Sequence, residues 1–283
     1  MEYSTALQGL AGYRPTASVS AVIPTLNEAK NVKWVLDRMP DCIDEIIIVD
    51  GRSTDDTVAI ARQARPEARI VLERTPGKGS AVRAGFAEAR GDLIVMLDAD
   101  GSMDPSEICR HLMPLEDGYD LVKGSRFLRS GGTTDISRIR ALGNLGLLAL
   151  VNRIYGSRFT ELCYGFMAFR REVLPKLHLT ASGFEIETQI VVHALRARVR
   201  IAEVPSFESE RRFGESNLRT IRDGVRALRT LLAGRAKIWP APGGRPAPDG
   251  LAAGQLADEA LAQAGRVAVG SSAARPSESV LST

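Results

Sequence analysis

Apolar runs and polar punctuation alternate along the first hundred residues with the rhythm of repeated strand–helix units. Val19–Ile23 reads as a strand stopped by Pro24, and Glu28–Met39 as the helix after it, capped by Asn27 or Thr25. Glu45–Val49 is a β-branched run of the kind buried on both faces of a parallel sheet. Ser53 or Thr54 then caps a helix to about Gln63. Ala68–Leu72 is a third strand, Ser80–Arg90 the next helix, and Leu93–Leu97 a fourth strand apolar throughout. This alternation implies right-handed crossovers and a parallel, doubly wound α/β sheet. The C-terminal ends of such strands share one edge, where open α/β sheets bind ligands. Asp50 and Asp98 are thereby brought together.

The second half is less regular. It reads as a helix over Pro105–Leu115, a strand over Asp120–Lys123, a mobile Gly/Thr/Ser-rich stretch over Leu128–Ser137 and a helix over Arg138–Tyr155. Ile139, Leu142, Leu145, Leu148 and Val151 fall on one face of that helix. A strand over Tyr164–Phe169, a helix over Phe184–Arg196, a strand over Val199–Val204 and a helix over Ser216–Leu232 follow. These elements fit the far side and edge strands of the same domain better than a separate fold. The expected organisation is a flexible lead over 1–17, one domain over 18–235, and a disordered or weakly helical tail over 236–283. Pro240–Asp249 cannot bury much, and Leu251–Ala264 can form at most a weak helix.

Composition narrows the class. The 283 residues are 44% hydrophobic and 25% charged, ordinary for a globular protein, and the net charge of +3 is too small to argue for nucleic acid. No apolar run approaches the roughly 20 residues of a spanning helix. The opening MEYSTALQGLAGYRP has no basic region followed by an apolar core, so no secretory signal is expected. Cys42, Cys109 and Cys163 lie far apart in the sequence and form no C-x-x-C pattern. They read as reduced, packed thiols, in keeping with a cytoplasmic protein.

The chemistry concentrates on Gly91–Gly101, GDLIVMLDADG. Its buried strand runs into Asp98 and Asp100, an oxygen-rich corner suited to Mg²⁺ or Mn²⁺, ions that commonly bridge phosphate oxygens. The bland reading is a strand end that caps the next helix. Asp50, at another strand end, is placed to accept from a base or a ribose hydroxyl. Lys78, between Gly77 and Gly79, lets backbone and ammonium approach a phosphate, unless it is simply a surface lysine in a flexible turn. Arg126, Arg138, Arg140, Arg211 and Arg212 are further cations in or beside loops, and arginine forks phosphate oxygens.

Val22-Ile-Pro-Thr-Leu-Asn-Glu28, Ile48-Val-Asp-Gly-Arg-Ser-Thr-Asp55, Gly77-Lys-Gly79, Asp98-Ala-Asp100, Lys123-Gly-Ser-Arg-Phe127 and Arg211-Arg-Phe-Gly-Glu-Ser216 occur in this order. In that order they resemble family 2 glycosyltransferases, above all the branch of dolichol-phosphate mannosyltransferases and bacterial polyprenyl-phosphate glycosyltransferases. The resemblance runs from about Val19 to Leu232. It implies a GT-A fold, with a mostly parallel central sheet flanked by helices. It implies that Pro24, Thr25, Glu28 and Asp50 hold the nucleotide base and ribose, and that Asp98 and Asp100 hold a divalent metal, with Asp100 nearest the diphosphate. It also implies that Arg126 and Arg211 flank the phosphates. Three positions depart from the pattern. Arg52 stands where glycine or aspartate is usual. Ser102 stands for a metal-reaching glutamine, implying an ion held by fewer side chains. Glu161 stands for aspartate.

The implied reaction is inverting, metal-dependent transfer of a hexose from GDP-mannose or a UDP-hexose to a polyprenyl phosphate, with Asp100, Arg126 and Glu187 as catalytic candidates. A hydroxyl acceptor, in cell-envelope or secondary-metabolite biosynthesis, would need a base, for which Glu185, Glu187 and Glu161 are candidates against ion pairing or capping. A non-catalytic sugar-nucleotide-binding protein is the remaining alternative. The first strand is followed by neither G-x-G-T-R nor G-x-G-x-x-G, which argues against a nucleotidyltransferase and a dehydrogenase. On the last helix, Leu218, Ile221, Val225, Leu228 and Leu232 form an apolar stripe beside Arg219, Arg222, Arg226 and Arg229. It fits either a helix lying at the inner face of an anionic membrane beside a lipid acceptor or a core-packing helix with a solvated face.

Overall fold

The computed structural model describes residues 12–215 and 218–235. Expectations for most of residues 1–17, for Ser216 as a helix start and for 236–283 lie outside them. Strands β1 (Val19–Thr25), β2 (Glu45–Asp50), β3 (Arg69–Leu72) and β4 (Leu93–Met96) are parallel neighbours. Helices α1 (Val32–Asp37), α2 (Thr57–Ala64) and α3 (Lys78–Glu88) connect them. The next elements are α4 (Ile108–Glu116), β5 (Leu121–Ser125), β6 (Gly132–Thr133), α5 (Arg138–Tyr155), β7 (Met167–Arg170) and the short α6 (Leu174–Leu177). The described residues close with α7 (Ile186–Arg196), β8 (Ile201–Pro205), β9 (Phe207–Glu208) and α8 (Thr220–Arg235).

The seven-stranded sheet runs β3-β2-β1-β4-β7-β5-β8, and β6 pairs with β9 in a small second sheet. Strand β7 is antiparallel to both β4 and β5, so the mostly parallel sheet is spliced through one reversed strand. The alternating pleat sends Ala21, Ile23, Ile48 and Val95 into a layer with α1 and α4, and Val22, Ile47, Ile94 and Met96 into a layer with α3 and α7. Both faces are apolar because both are covered.

Several local expectations shift. Helix α1 starts at Val32; Glu28 to Asn31 instead form a turn in which Asn31 and Val32 N–H donate to the Glu28 carbonyl at 2.9 and 2.8 Å. Neither Asn27 nor Thr25 caps it. Asn27 takes a left-handed φ of 57° and accepts from Thr54 N–H at 2.8 Å, tying the loop after β1 to the loop after β2. At α2 the residue accepting from the Thr57 N–H is Asp55, at 3.1 Å, rather than Ser53 or Thr54. The apolar face of α5 is split. Leu148 and Val151 are buried, while Ile139, Leu142 and Leu145 are 72%, 71% and 59% exposed. On α8 the packing stripe is Asp223, Ala227 and Leu231; Ile221, Val225, Leu228 and Leu232 face outward, Ile221 at 82% exposure. The core-packing reading of that apolar stripe is therefore incorrect. The thiols of Cys42 and Cys109 meet at 3.5 Å as a buried, unbridged pair.

Candidate active site

The sheet edge delivers three acidic strand ends. After β2, Asp50 Oδ2 accepts from the N–H groups of Arg52 and Ser53 at 3.1 and 3.0 Å, which fixes its rotamer. Its Oδ1 is buried without a hydrogen-bond partner, an orphan acceptor that native proteins rarely leave unexplained. After β1, Thr25 Oγ1 donates to the Val49 carbonyl at 3.3 Å, and Glu28 N–H donates to Thr57 Oγ1 at 2.8 Å. Pro24, Thr25, Glu28 and Asp50 thus form one stitched corner. Burial raises the Glu28 pKa, opposed by the Asn31 amide at 2.6 Å and the Arg211 guanidinium at 2.8 Å.

After β4, Asp100 Oδ1 accepts from Ser102 N–H at 2.9 Å and Oδ2 pairs with Arg211 at 2.9 Å. Asp98 is held by Lys78 Nζ at 2.6 Å, and the same ammonium reaches Glu187 Oε1 at 2.7 Å. Burial drives the Asp98 pKa up to about 6 against the opposing Lys78 ammonium, with the like charges of Asp100 and Glu187 adding to the rise. The Lys78 ammonium is held charged by its two carboxylates against its own burial.

Lys78 is the first residue of α3, not a residue of a flexible turn. Its flanking glycines also serve another purpose than the sequence suggests. A Cβ on Gly77 would lie 2.1 Å from the Ser182 carbonyl oxygen, and one on Gly79 2.5 Å from that of Ala181. The backbone at Ala181–Gly183 fills the space an approaching phosphate was expected to use. What remains toward the acids is the lysine side chain.

Arg126, after β5, is clamped. Its Nε donates to Glu161 Oε2 at 2.8 Å, Nη1 to Glu208 Oε2 at 2.7 Å and Nη2 to the Cys163 carbonyl at 3.2 Å, with its guanidinium 4.9 Å from the Tyr164 ring centroid. Glu161 is fully buried beneath it. Glu185, immediately before α7, faces Arg226 at 3.8 Å. Arg138 is not among the residues lining the cleft described next, whereas Arg140 is.

Lys78, Asp98, Asp100, Arg126, Glu187 and Arg211 meet in a cleft of about 470 Å³. It continues between α5 and α8 along Ile136, Ile139, Leu147, Ile221, Val225 and Leu228. Its lining carries four cations (Lys78, Arg126, Arg140, Arg211) against six carboxylates (Asp98, Asp100, Asp135, Glu187, Glu208, Asp223). Among the described residues no three acids, histidines or cysteines converge as a complete metal cage. The set fits a hard ion of the Mg²⁺ kind, which takes one or two carboxylates and completes its shell with substrate phosphates and water. Lys78 and Arg211 sit on Asp98 and Asp100 as such an ion would, and the surplus of acids favours a further cation.

Sequence reasoning missed Glu208, which bridges Arg126 and Thr133 Oγ1, and the buried Lys123–Glu203 pair beneath the site. Lys123 and Glu203 face each other in the β5–β8 register. The available signal was a lone charge in each of two otherwise uncharged strands.

The family model for glycosyl transferase family 2 matches residues 20–177. The chain is 34% identical over 216 residues to glycosyltransferase AglJ of Haloferax volcanii, covering 73% of this chain and 68% of that protein. It is 32% identical to the dolichol-phosphate mannosyltransferase of Pyrococcus furiosus, over 78% of this chain and 65% of that protein. It is 32% identical to the polyprenol monophosphomannose synthase of Mycolicibacterium smegmatis, over 74% and 83%. Among solved structures it is similar to glucosyl-3-phosphoglycerate synthase of Mycobacterium tuberculosis in complex with Mn²⁺, UDP and glucosyl-3-phosphoglycerate. That match has a TM-score of 0.63, with 26% identity, and covers 86% of this chain and 87% of the other.

Proposed function

The chain belongs to glycosyl transferase family 2, and from that premise we propose that it transfers a hexose, with inversion, from a nucleotide-diphosphate sugar to a polyprenyl phosphate. The observation that carries the acceptor reading is the cleft itself. It joins the Asp98–Asp100 corner to an apolar channel between α5 and α8, whose outer faces expose Ile139, Leu142, Leu145, Ile221 and Val225. A phosphate headgroup suits the inner end once a divalent ion joins Lys78, Arg126 and Arg211 there, and an isoprenoid tail suits the outer end. Among the described residues no helix is long and apolar enough to cross a membrane. Contact with a lipid would therefore run through these two helix faces, flanked by Arg219, Arg222 and Arg229, at the surface of an anionic bilayer.

Asp50 Oδ1 supplies the acceptor for a base N–H, and Glu28 suits the ribose. Lys78 and Arg211 hold charge beside the diphosphate, with Arg126 at the cleft wall. A divalent ion on Asp100 and Asp98 would neutralise charge developing on the leaving diphosphate. A phosphate acceptor is already anionic at neutral pH, so no general base is required, and Glu187 acts by positioning Lys78. The likeness to glucosyl-3-phosphoglycerate synthase favours one second reading, a soluble phosphorylated acceptor.

The test is transfer from UDP-glucose and GDP-mannose, with Mn²⁺, to undecaprenyl phosphate in detergent and to 3-phosphoglycerate. Labelled sugar on the lipid alone supports the lipid reading; labelled sugar on the soluble acid alone replaces it. A thermal-shift panel of UDP, GDP, CDP and dTDP ranks the base. Asp50→Asn should erase the strongest shift in that panel.

A further inference from the structure

Arg211 stands between two sites that the sequence treats as separate. Nη1 donates to Glu28 Oε1 at 2.8 Å and Nη2 pairs with Asp100 Oδ2 at 2.9 Å. The remaining Asp100 oxygen is taken by Ser102 N–H at 2.9 Å. Both oxygens of Asp100, the acid nearest the expected diphosphate, are therefore engaged, one of them by a full positive charge. Glu28 is filled in the same way, by Arg211 on Oε1 and by the Asn31 amide on Oε2.

The segment carrying Arg211 is pinned over the corner at independent points. The Arg212 guanidinium lies 4.8 Å from the Trp34 ring centroid, the Arg212 backbone N–H donates to the Asp100 carbonyl at 3.3 Å, and Asn31 Nδ2 donates to the Phe213 carbonyl at 3.0 Å. Gly101, at φ +76°, leaves room for this strap: a Cβ there would lie 2.7 Å from Arg212 Cδ.

Resting on the metal-and-nucleotide reading above, we propose that Arg211 is a coupling residue. It occupies the cation position on Asp100 and the nucleotide position on Glu28 together, so a divalent ion and a nucleotide each bind better once the other has drawn Arg211 away. A metal ion alone must compete with a resident guanidinium and gains nothing in exchange. A nucleotide alone must take Glu28 from a donor that Asp100 still holds in place. When both arrive, the diphosphate receives the released guanidinium, Asp100 receives the ion, and Glu28 keeps the Asn31 amide and exchanges Arg211 for the hydroxyl donors of the ribose. The coupling is reciprocal, as linkage requires.

The experiment measures Mn²⁺ affinity by electron paramagnetic resonance of free Mn²⁺, on the full chain, with and without UDP or GDP. Wild type should bind Mn²⁺ weakly alone and much more tightly with nucleotide. Arg211→Met should bind Mn²⁺ alone at least about fivefold more tightly than wild type, with a correspondingly smaller enhancement by nucleotide. Tighter binding is a gain that mere loss of packing cannot produce. Arg38→Gln removes an exposed arginine that also stacks on Trp34, 4.3 Å from its centroid, and should leave Mn²⁺ affinity unchanged. If Arg211→Met, folded by circular dichroism, binds Mn²⁺ alone no better than wild type, the coupling role is wrong. An equal gain in Arg38→Gln would also overturn it, as diffuse charge. No Mn²⁺ binding by any form with either nucleotide would instead remove the metal reading on which the inference rests.

Discussion

Arg52 holds a φ of +73°, a left-handed conformation that costs a side chain with a Cβ roughly 1–2 kcal/mol. This is a physical reason for glycine at that position in the motif Arg52 interrupts. Arg52→Gly should raise stability by about 1 kcal/mol in urea unfolding, relief of strain exceeding the added entropy of the unfolded chain. Gly165 illustrates the opposite constraint. A Cβ there would lie 2.8 Å from Glu187 Oε1 and 3.0 Å from Lys78 Nζ. Gly165→Ala should leave the sheet folded and lower transfer by about 10²-fold, because the ammonium must leave its place on Asp98. Glu203 makes its own contribution to the pH dependence of stability. Its burial outweighs the Lys123 ammonium and the N–H groups of Thr160 and Glu161, pushing its pKa up to about 7. The folded protein then holds a proton on Glu203 between pH 4.5 and 7 that the unfolded chain releases, so the contribution of Glu203 to stability is full below that window and falls as pH rises through it. The stability advantage of wild type over Glu203→Gln should shrink by up to about 3 kcal/mol between about pH 4.5 and 7.5, read from denaturation at each pH.

Helices show where periodicity informs and where it stops. The spacing of Ile139, Leu142, Leu145, Leu148 and Val151 correctly marks one face of α5, and that of Ile221, Val225, Leu228 and Leu232 one face of α8. It does not say what those faces meet. Much of the α5 face and all four of these α8 positions point outward, while Asp223, Ala227 and Leu231 do the packing. A buried aspartate escapes a hydrophobic pattern altogether; here Asp223 accepts from Arg219 N–H at 2.8 Å near the start of the helix. Because Ile221 and Val225 are exposed, changing both to Asp should alter stability by no more than about 1 kcal/mol. The same double change should abolish co-sedimentation with anionic liposomes at low salt. Undiminished co-sedimentation would refute the assignment of these faces to lipid. The central strands β1, β2 and β4 were legible for a converse reason: strands buried on both faces are apolar at nearly every position, and that pattern survives whatever packs on them.

The whole molecule contains what no local pattern encodes. The insertion of β7 between β4 and β5, and the joining of Glu28 to Asp100 through a distant residue, Arg211, arise from pairing across the chain. Candidate acids and cations could be read one by one; that Lys78, Arg126 and Arg211 would each already be shared between two acids could not. The resulting acid surplus makes a prediction for the assembled site. With EDTA, neither UDP nor GDP should shift the melting temperature. With Mn²⁺, the preferred nucleotide at about 100 times its Kd should stabilise the protein by about 2.7 kcal/mol.

The reversed strand also carries a cost in time. Leu93–Met96 finds Val19–Val22 on one side as soon as both exist, but its other neighbour, Met167–Arg170, emerges much later in the chain. With roughly seventy residues still to be made at about 5–20 residues per second, the nascent chain leaves an apolar edge without a partner for roughly 4–15 seconds. During that interval a bare flank beside the future acidic corner is open to wrong pairings, and a ribosome-associated chaperone has its clearest reason to attend to this chain.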